Sequence, residues 1–258
     1  MLRSIFNEER RRDEGLLQKT NRAIELFGRR LRELHPCDKP VPAKWIRLDL
    51  WAESLKSTLN ELEQSIYCSA KYAAAFRNAN GAKANGAREN GPIVEKLSEE
   101  LRDHYRRHIY FYKNAFIRVF SVLDKTGYFL DTMFDANTAQ IKQRFSYFTV
   151  LRRLHDTGLH PVLEKRLYRL KDRFQEPLDR LRKQRNLEIH SMNVELIDEV
   201  WRARSCFAEY HYVEPLDEHL NDLDAAFEMV CGSLYEIFTY CTDHLREQKR
   251  SGYWPKRR

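Results

Sequence analysis

The stretch IVEKLSEELRDHYRRHIYFYKNAFIRVFSVLDKTGYFLDTMFD, residues 93–135, decides the fold. Leu97, Leu101, Tyr105, Ile109, Tyr112, Phe116, Val119, Leu123, Gly127, Leu130 and Phe134 follow one another at steps of three or four. That is the period of one face of a helix, whereas a half-buried strand would alternate by two. No proline interrupts the pattern. It predicts one long helix from Ile93 to about Asp135, with Tyr110, Phe111, Tyr112 and Phe116 as core rather than as a platform for stacking bases.

The same period extends to both sides. Leu16, Leu17, Ile24, Phe27, Leu31 and Leu34 predict a helix over Glu8–His35, and three prolines at 36, 40 and 42 end it. Leu48, Trp51, Leu55, Leu59, Leu62, Ile66 and Tyr72 predict a second over Trp45–Arg77. Asn78 to Pro92 contains three Asn-Gly dipeptides and no large apolar residue, which marks a loop. Further helices are expected over Thr138–Thr157, stopped by Gly158 and Pro161, over the basic stretch Val162 to about Gln184, with a break following near 185–190, and over Glu195–Phe207 and Pro215–Arg246. No segment has the strand period and none repeats. The expected fold is all-α, an up-and-down helical bundle of about six to seven helices. The expected organisation is an N-terminal helical extension (1–78), an Asn/Gly loop (79–92), a bundle (93–248) and a basic tail (249–258).

The 258 residues suffice for a core without covalent staples. Apolar residues make up 42% and charged residues 32%, a globular composition with a heavily charged surface. Five cysteines, an odd number with no CxxC pair, argue against a disulfide framework or a Cys-rich zinc site and for a reducing compartment. The N-terminus lacks the apolar core of a signal peptide, and no apolar run reaches about 18 residues. A soluble, cytoplasmic protein is expected, with no membrane contact. The net charge is +7 and the pI about 9.1, a balance that suits polyanionic partners. Residues 144–185 hold 12 Lys/Arg against 5 Asp/Glu, an excess equal to that of the whole chain.

At the end of that basic stretch stands Arg185-Asn186-Leu187-Glu188-Ile189-His190. Its residue types suit phosphodiester chemistry. Histidine titrates near neutrality and can take a proton from a 2′-hydroxyl. Arginine stays charged and offers planar donors to phosphate oxygens. Asn186 can position the phosphate or orient the histidine. A plainer reading also fits these residues. Arg185 would join Arg180, Arg182 and Lys183 on a solvated basic face, and His190 would cap its helix, where the dipole favours a cation.

Arg-Asn-x3-His at 185–190 resembles the R-x4-H signature of the HEPN superfamily. Arg118-Val119-Phe120-Ser121-Val122-Leu123-Asp124-Lys125 resembles the first core helix of a poorly characterised bacterial subfamily of it. The likeness spans roughly residues 93–246. It implies a metal-independent endoribonuclease acting through the 2′-hydroxyl to leave a cyclic phosphate. Arg185, Asn186 and His190 would be catalytic, Arg118, Ser121 and Asp124 would support the cleft, and Arg180, Arg182 and Lys183 would bind RNA. It also implies a homodimer with the cleft at its interface, a toxin or defence setting with an antitoxin partner, and neither cofactor nor metal. The alternative is a non-catalytic module binding RNA, nucleotide or protein. Without the resemblance, Asp124 pairing with Arg118 and Ser121 bonding back to a helix carbonyl explain that segment equally well.

Other constellations are weaker. His104 and His108 have the i, i+4 spacing of metal ligands but no third ligand, and read as surface residues. Glu209, His211, Glu214, Asp217 and His219 read as a polar loop before the last helix. Phosphate-binding glycine loops and the GxSxG nucleophile motif are absent from the sequence.

Overall fold

The structure, a computed structural model, describes residues 2–8, 15–34, 41–80, 93–138, 145–190 and 213–250. Among them are seven α-helices and no strand. They are α1 Gly15–Leu34, α2 Ala43–Asn80, α3 Glu99–Phe134, α4 Tyr147–Thr157, α5 Pro161–Arg173, α6 Gln175–His190 and α7 Leu216–Arg250. Two 3-10 turns, Leu2–Phe6 and Val94–Lys96, complete the described elements. The all-α fold is as the apolar periodicity predicts. The helix expected over Glu195–Phe207, the tail beyond Arg250 and most of the Asn/Gly loop lie outside the described residues.

Several boundaries differ from those expected, each for a local reason. Helix α3 begins at Glu99, six residues late. Leu97 is extended, and the Ser98 hydroxyl accepts from the Leu101 amide, so Val94–Lys96 forms a separate 3-10 turn ahead of the helix. Helix α4 begins at Tyr147 rather than Thr138. Ser146 and Thr149 form a reciprocal capping box that fixes the start. The break expected near 185–190 falls instead at Phe174, so the basic stretch is two helices and the second runs on through His190. Helix α2 runs on to Asn80, through the first residues of the expected loop.

The chain forms two compact units, and each combines residues from both sides of the 79–92 segment. One consists of Arg11–Asn60, Val119–Gln175 and Phe227–Arg258. Its centre is a trio of rings, Phe27, Phe129 and Phe238, with centroids 4.7–5.4 Å apart. All three are fully buried, along with Leu48, Leu55, Leu59 and Leu130. Helices α1 and α2 are antiparallel, joined by Arg32–Asp49 at 3.0 Å and Lys56–Glu25 at 2.5 Å. Helices α5 and α7 are antiparallel through Arg166–Glu236 at 2.9 Å and Arg173–Glu228 at 3.1 Å. Gly127 lets α4 approach α3, since a Cβ there would meet the Tyr147 backbone at 3.0 Å. Replacing Phe27 by Ala removes one member of the ring trio from a dry core. It is expected to cost about 3–5 kcal/mol, read as a lower urea midpoint at unchanged slope. A loss under about 1 kcal/mol would contradict this account of the core.

The other unit consists of Met1–Arg10, Glu61–Arg118 and Glu176–Ala226. Its apolar core gathers Ala73, Phe76, Leu97, Leu101, Tyr105, Ile109 and Leu216. Helices α2 and α3 run antiparallel through it, as Ser65 bonding to Asn114 at 2.8 Å and the Phe76–Tyr105 contact show. Leu2–Phe6 is pinned to α2 by an Arg3–Glu63 ion pair, with the Arg3 guanidinium 3.7 Å over the Tyr67 ring. Helix α6 belongs to this unit.

Candidate functional site

Helix α6 starts immediately after Phe174 and carries Pro177 in its first turn, where a missing amide donor costs nothing. Leu178 and Leu181 are its buried apolar anchors. Three polar contacts then hold it to its neighbours, and a fourth lies within the helix. Arg180 grips Asp222 of α7 with two donors, at 2.9 and 2.6 Å. Arg182 bonds Asp179 at 2.9 Å. The Tyr112 hydroxyl of α3 donates to the Gln184 side chain, and Lys113 of α3 pairs with Glu188 at 3.0 Å.

The motif occupies the last turn and a half. Arg185 is half-buried and Asn186 is exposed. Leu187 and Ile189 are 58% and 51% exposed, an unusual display of two large apolar side chains in one turn. His190 is the last helical residue. At about 100° per residue, positions 186 and 190 share a face together with 182 and 183, while positions 185 and 190 lie about 140° apart. Lys183 is exposed.

The charge of the basic stretch is smaller in three dimensions than along the chain. Arg166, Arg173, Arg180 and Arg182 are all ion-paired, three of them with acids of α7 that local counting leaves out. Of the three residues expected to contact RNA, Lys183 is exposed, while Arg180 and Arg182 reach solvent from within their pairs.

Of the supporting residues expected on α3, Arg118 lies in the same unit as the motif. It pairs there with Glu61 of α2 and donates to Asn114 at 2.7 Å. Ser121 and Asp124 belong to the other unit and are half-buried.

The motif's unit also contains a polar cluster around His108, a residue expected at the surface. His108 is 0% exposed, a correction to its expected place. Its ring is stacked with His219 at 5.8 Å and with Tyr112 at 6.0 Å, and Tyr112 and His219 stack at 4.0 Å. His108 Nδ1 donates to the Ser69 carbonyl at 3.0 Å. Its Nε2 has no hydrogen-bond partner among the described residues, nor has His219 Nδ1. His219 Nε2 meets Glu214 at 3.1 Å. Burial above all pushes His108 down to about 4, so its ring is neutral at physiological pH. The hydrogen bond from His219 holds the Glu214 carboxyl below its ordinary value. Burial pushes the Tyr112 phenol up, keeping it a donor to Gln184.

His219 and Asp217 are therefore helical residues of α7 rather than loop residues, and Asp217 pairs with Arg77 of α2. Glu209 and His211 lie outside the described residues. Among the described residues no group of three or more His, Cys, Asp or Glu is arranged to hold a metal, and no helix is long and apolar enough to cross a membrane. A signal for His108 did exist. It stands three after Tyr105 and four before Tyr112, on the buried face of α3.

Compared with known families, residues 51–242 match the one described as HEPN_Cthe2314-like HEPN. The match begins within α2 and takes in α3 to α6 and most of α7. Neither a curated protein nor a solved structure matches the chain.

Proposed function

The chain belongs to the Cthe2314-like HEPN family, and from that premise we propose that it is a metal-independent endoribonuclease whose chemistry is performed by Arg185, Asn186 and His190. Membership by itself supports a nuclease or RNA-related role in general. The observation that carries the finer reading is that Arg-Asn-x3-His closes a helix anchored to its neighbours by three polar contacts, with Asn186 exposed to solvent.

His190 takes the proton of a ribose 2′-hydroxyl as that oxygen attacks the adjacent phosphorus. The bond from phosphorus to the 5′-oxygen breaks, and the leaving oxygen recovers a proton. The products are a 2′,3′-cyclic phosphate and a 5′-hydroxyl end. Arg185 stabilises the charge that builds on the phosphoryl oxygens, and Asn186 holds the phosphate without adding charge. The carbonyl end of α6 favours the imidazolium formed once His190 has taken its proton. Lys183, with Arg180 and Arg182, binds the RNA backbone. Arg118, Ser121 and Asp124 enter the proposal only through the resemblance of their segment.

Positions 185 and 190 diverge around a single helix axis. Two copies facing across a two-fold axis would set the arginine of one against the histidine of the other. The exposed Leu187 and Ile189 favour such a pairing, because apolar side chains beside a polar motif gain from being covered.

The test is incubation of the protein with a panel of end-labelled RNAs in EDTA, followed by analysis of the new ends. Fragments ending in cyclic phosphate and 5′-hydroxyl are the expected result. Salt-dependent RNA binding with no cleavage across the panel would instead favour a non-catalytic binding module.

A further inference from the structure

The proposed motif is held by more than its own helix. Tyr112 and Lys113 are consecutive on α3, yet they grip α6 at two points one turn apart, Gln184 and Glu188. Those two points bracket Arg185, Asn186 and Leu187. The Lys113–Glu188 pair is three-quarters removed from solvent on both sides, so it is less screened than a surface pair. Tyr112 is itself fixed. Its ring lies flat on His219 at 4.0 Å, and His219 is tied to Glu214 at the point where the chain enters α7. One tyrosine therefore joins α6 before the motif to the first turn of α7 after it. None of these contacts is needed to bury an apolar side chain of α6, a task met by Leu178 and Leu181.

We infer that Tyr112 and Lys113 are positioning residues that hold the 184–190 turn of α6 in the orientation the motif needs, a role that rests on the ribonuclease reading for its catalytic consequence. The Tyr112 hydroxyl fixes the turn's near end and the Lys113 ammonium fixes its far end. Neither touches RNA. Pre-organisation of this kind raises turnover rather than affinity, because it sets where the reacting groups stand rather than how many contacts the RNA makes.

The experiment uses the full chain and four variants: Tyr112→Phe, Lys113→Glu, Glu188→Lys, and the double variant Lys113→Glu/Glu188→Lys. Tyr112→Phe keeps the ring on His219 and removes only the hydroxyl. Amide hydrogen exchange is followed over residues 184–190, with Ile66–Phe76 of α2 as the internal reference, and metal-free RNA cleavage is followed as kcat and KM separately. The single variants are expected to exchange about tenfold faster in 184–190 alone and to lose about tenfold in kcat at little-changed KM. The charge-swapped double variant is expected to recover both. Unchanged exchange in both Tyr112→Phe and Lys113→Glu overturns the inference. So does faster exchange shared equally by 66–76, which marks general loss of stability, or a double variant no better than the singles. A wild type that cleaves no RNA overturns the ribonuclease reading instead, and the exchange measurements then still decide whether the turn is clamped.

Discussion

His190→Ala is expected to lower the turnover of RNA by about 10²–10⁴-fold while leaving RNA binding and the fold intact. The size follows from the role proposed. Without a metal to generate a nucleophile, deprotonation of the 2′-hydroxyl falls to a side chain whose free base is present near neutrality. Among the motif's residues only His190 meets that requirement. Being the last residue of α6, it can be replaced by alanine without opening the helix interior. Arg185 offers a sharper comparison. Arg185→Lys keeps the charge but loses the planar pair of donors, so it should bind RNA nearly as well as wild type and still turn over more slowly. The Arg185→Lys/His190→Ala double variant should be little worse than His190→Ala alone, because groups acting on one transition state do not contribute additively. Single-turnover cleavage in EDTA, with filter binding of the same RNA, separates the two effects. Wild-type rates from a folded His190→Ala protein would remove the histidine from the mechanism.

The plan of the molecule is legible because its helices are long and their apolar residues regular. The 3.6-residue period places Leu101, Tyr105, Ile109, Phe116 and Val119 on one buried face of α3, and the structure buries all of them. What the period does not carry is where a helix starts. Ser146 stops α4 from reaching back to Thr138 through two hydrogen bonds with Thr149, three residues away. An apolar count passes over a signal of that kind. Charge is harder still. Asp222, Glu228 and Glu236 neutralise arginines 42, 55 and 70 positions earlier, so a local count over 144–185 exaggerates the free positive charge. The candidate motif is legible because the residues of its proposed chemistry fall within six consecutive positions. Its support is not, since Tyr112–Gln184 and Lys113–Glu188 are pairings about 70 residues apart that only the packed bundle creates.

Acidification from pH 6.5 to 4 is expected to cost the protein about 3 kcal/mol through His108 alone, an order-of-magnitude figure from its lowered titration point. The sign follows from which state binds the proton. In the unfolded chain His108 titrates at its ordinary 6.5, whereas in the folded protein burial holds it to about 4. Between these values the unfolded state takes up the proton and the folded state does not, so stability falls as pH falls and levels off below about 4. The hydrogen bond to the Ser69 carbonyl favours a charge on the ring but does not offset its burial. The ring faces Ser69 on α2, Tyr112 on its own helix and His219 on α7; His219 and Arg77 oppose a charge on it, while Ser69 and, more weakly, Glu214 favour one without overcoming burial. Glu214 adds a second, lower window. Its carboxyl is held below 4.5 by His219, so the stability it contributes is lost only as pH drops through that depressed value. Asp224 works the other way, its carboxyl raised by burial, so raw acid denaturation is a sum of opposed terms. The comparison of wild type with His108→Gln cancels the others. Glutamine can still donate to the Ser69 carbonyl but takes up no proton. The variant is expected to be less stable at pH 7, where cavity and packing changes dominate, and to show a flatter dependence by about 3 kcal/mol across pH 6.5 to 4 in urea titrations. Parallel curves for the two proteins would mean that His108 takes up its proton as readily in the folded protein as in the unfolded chain, and the dry stack of His108, His219 and Tyr112 would have to be redrawn.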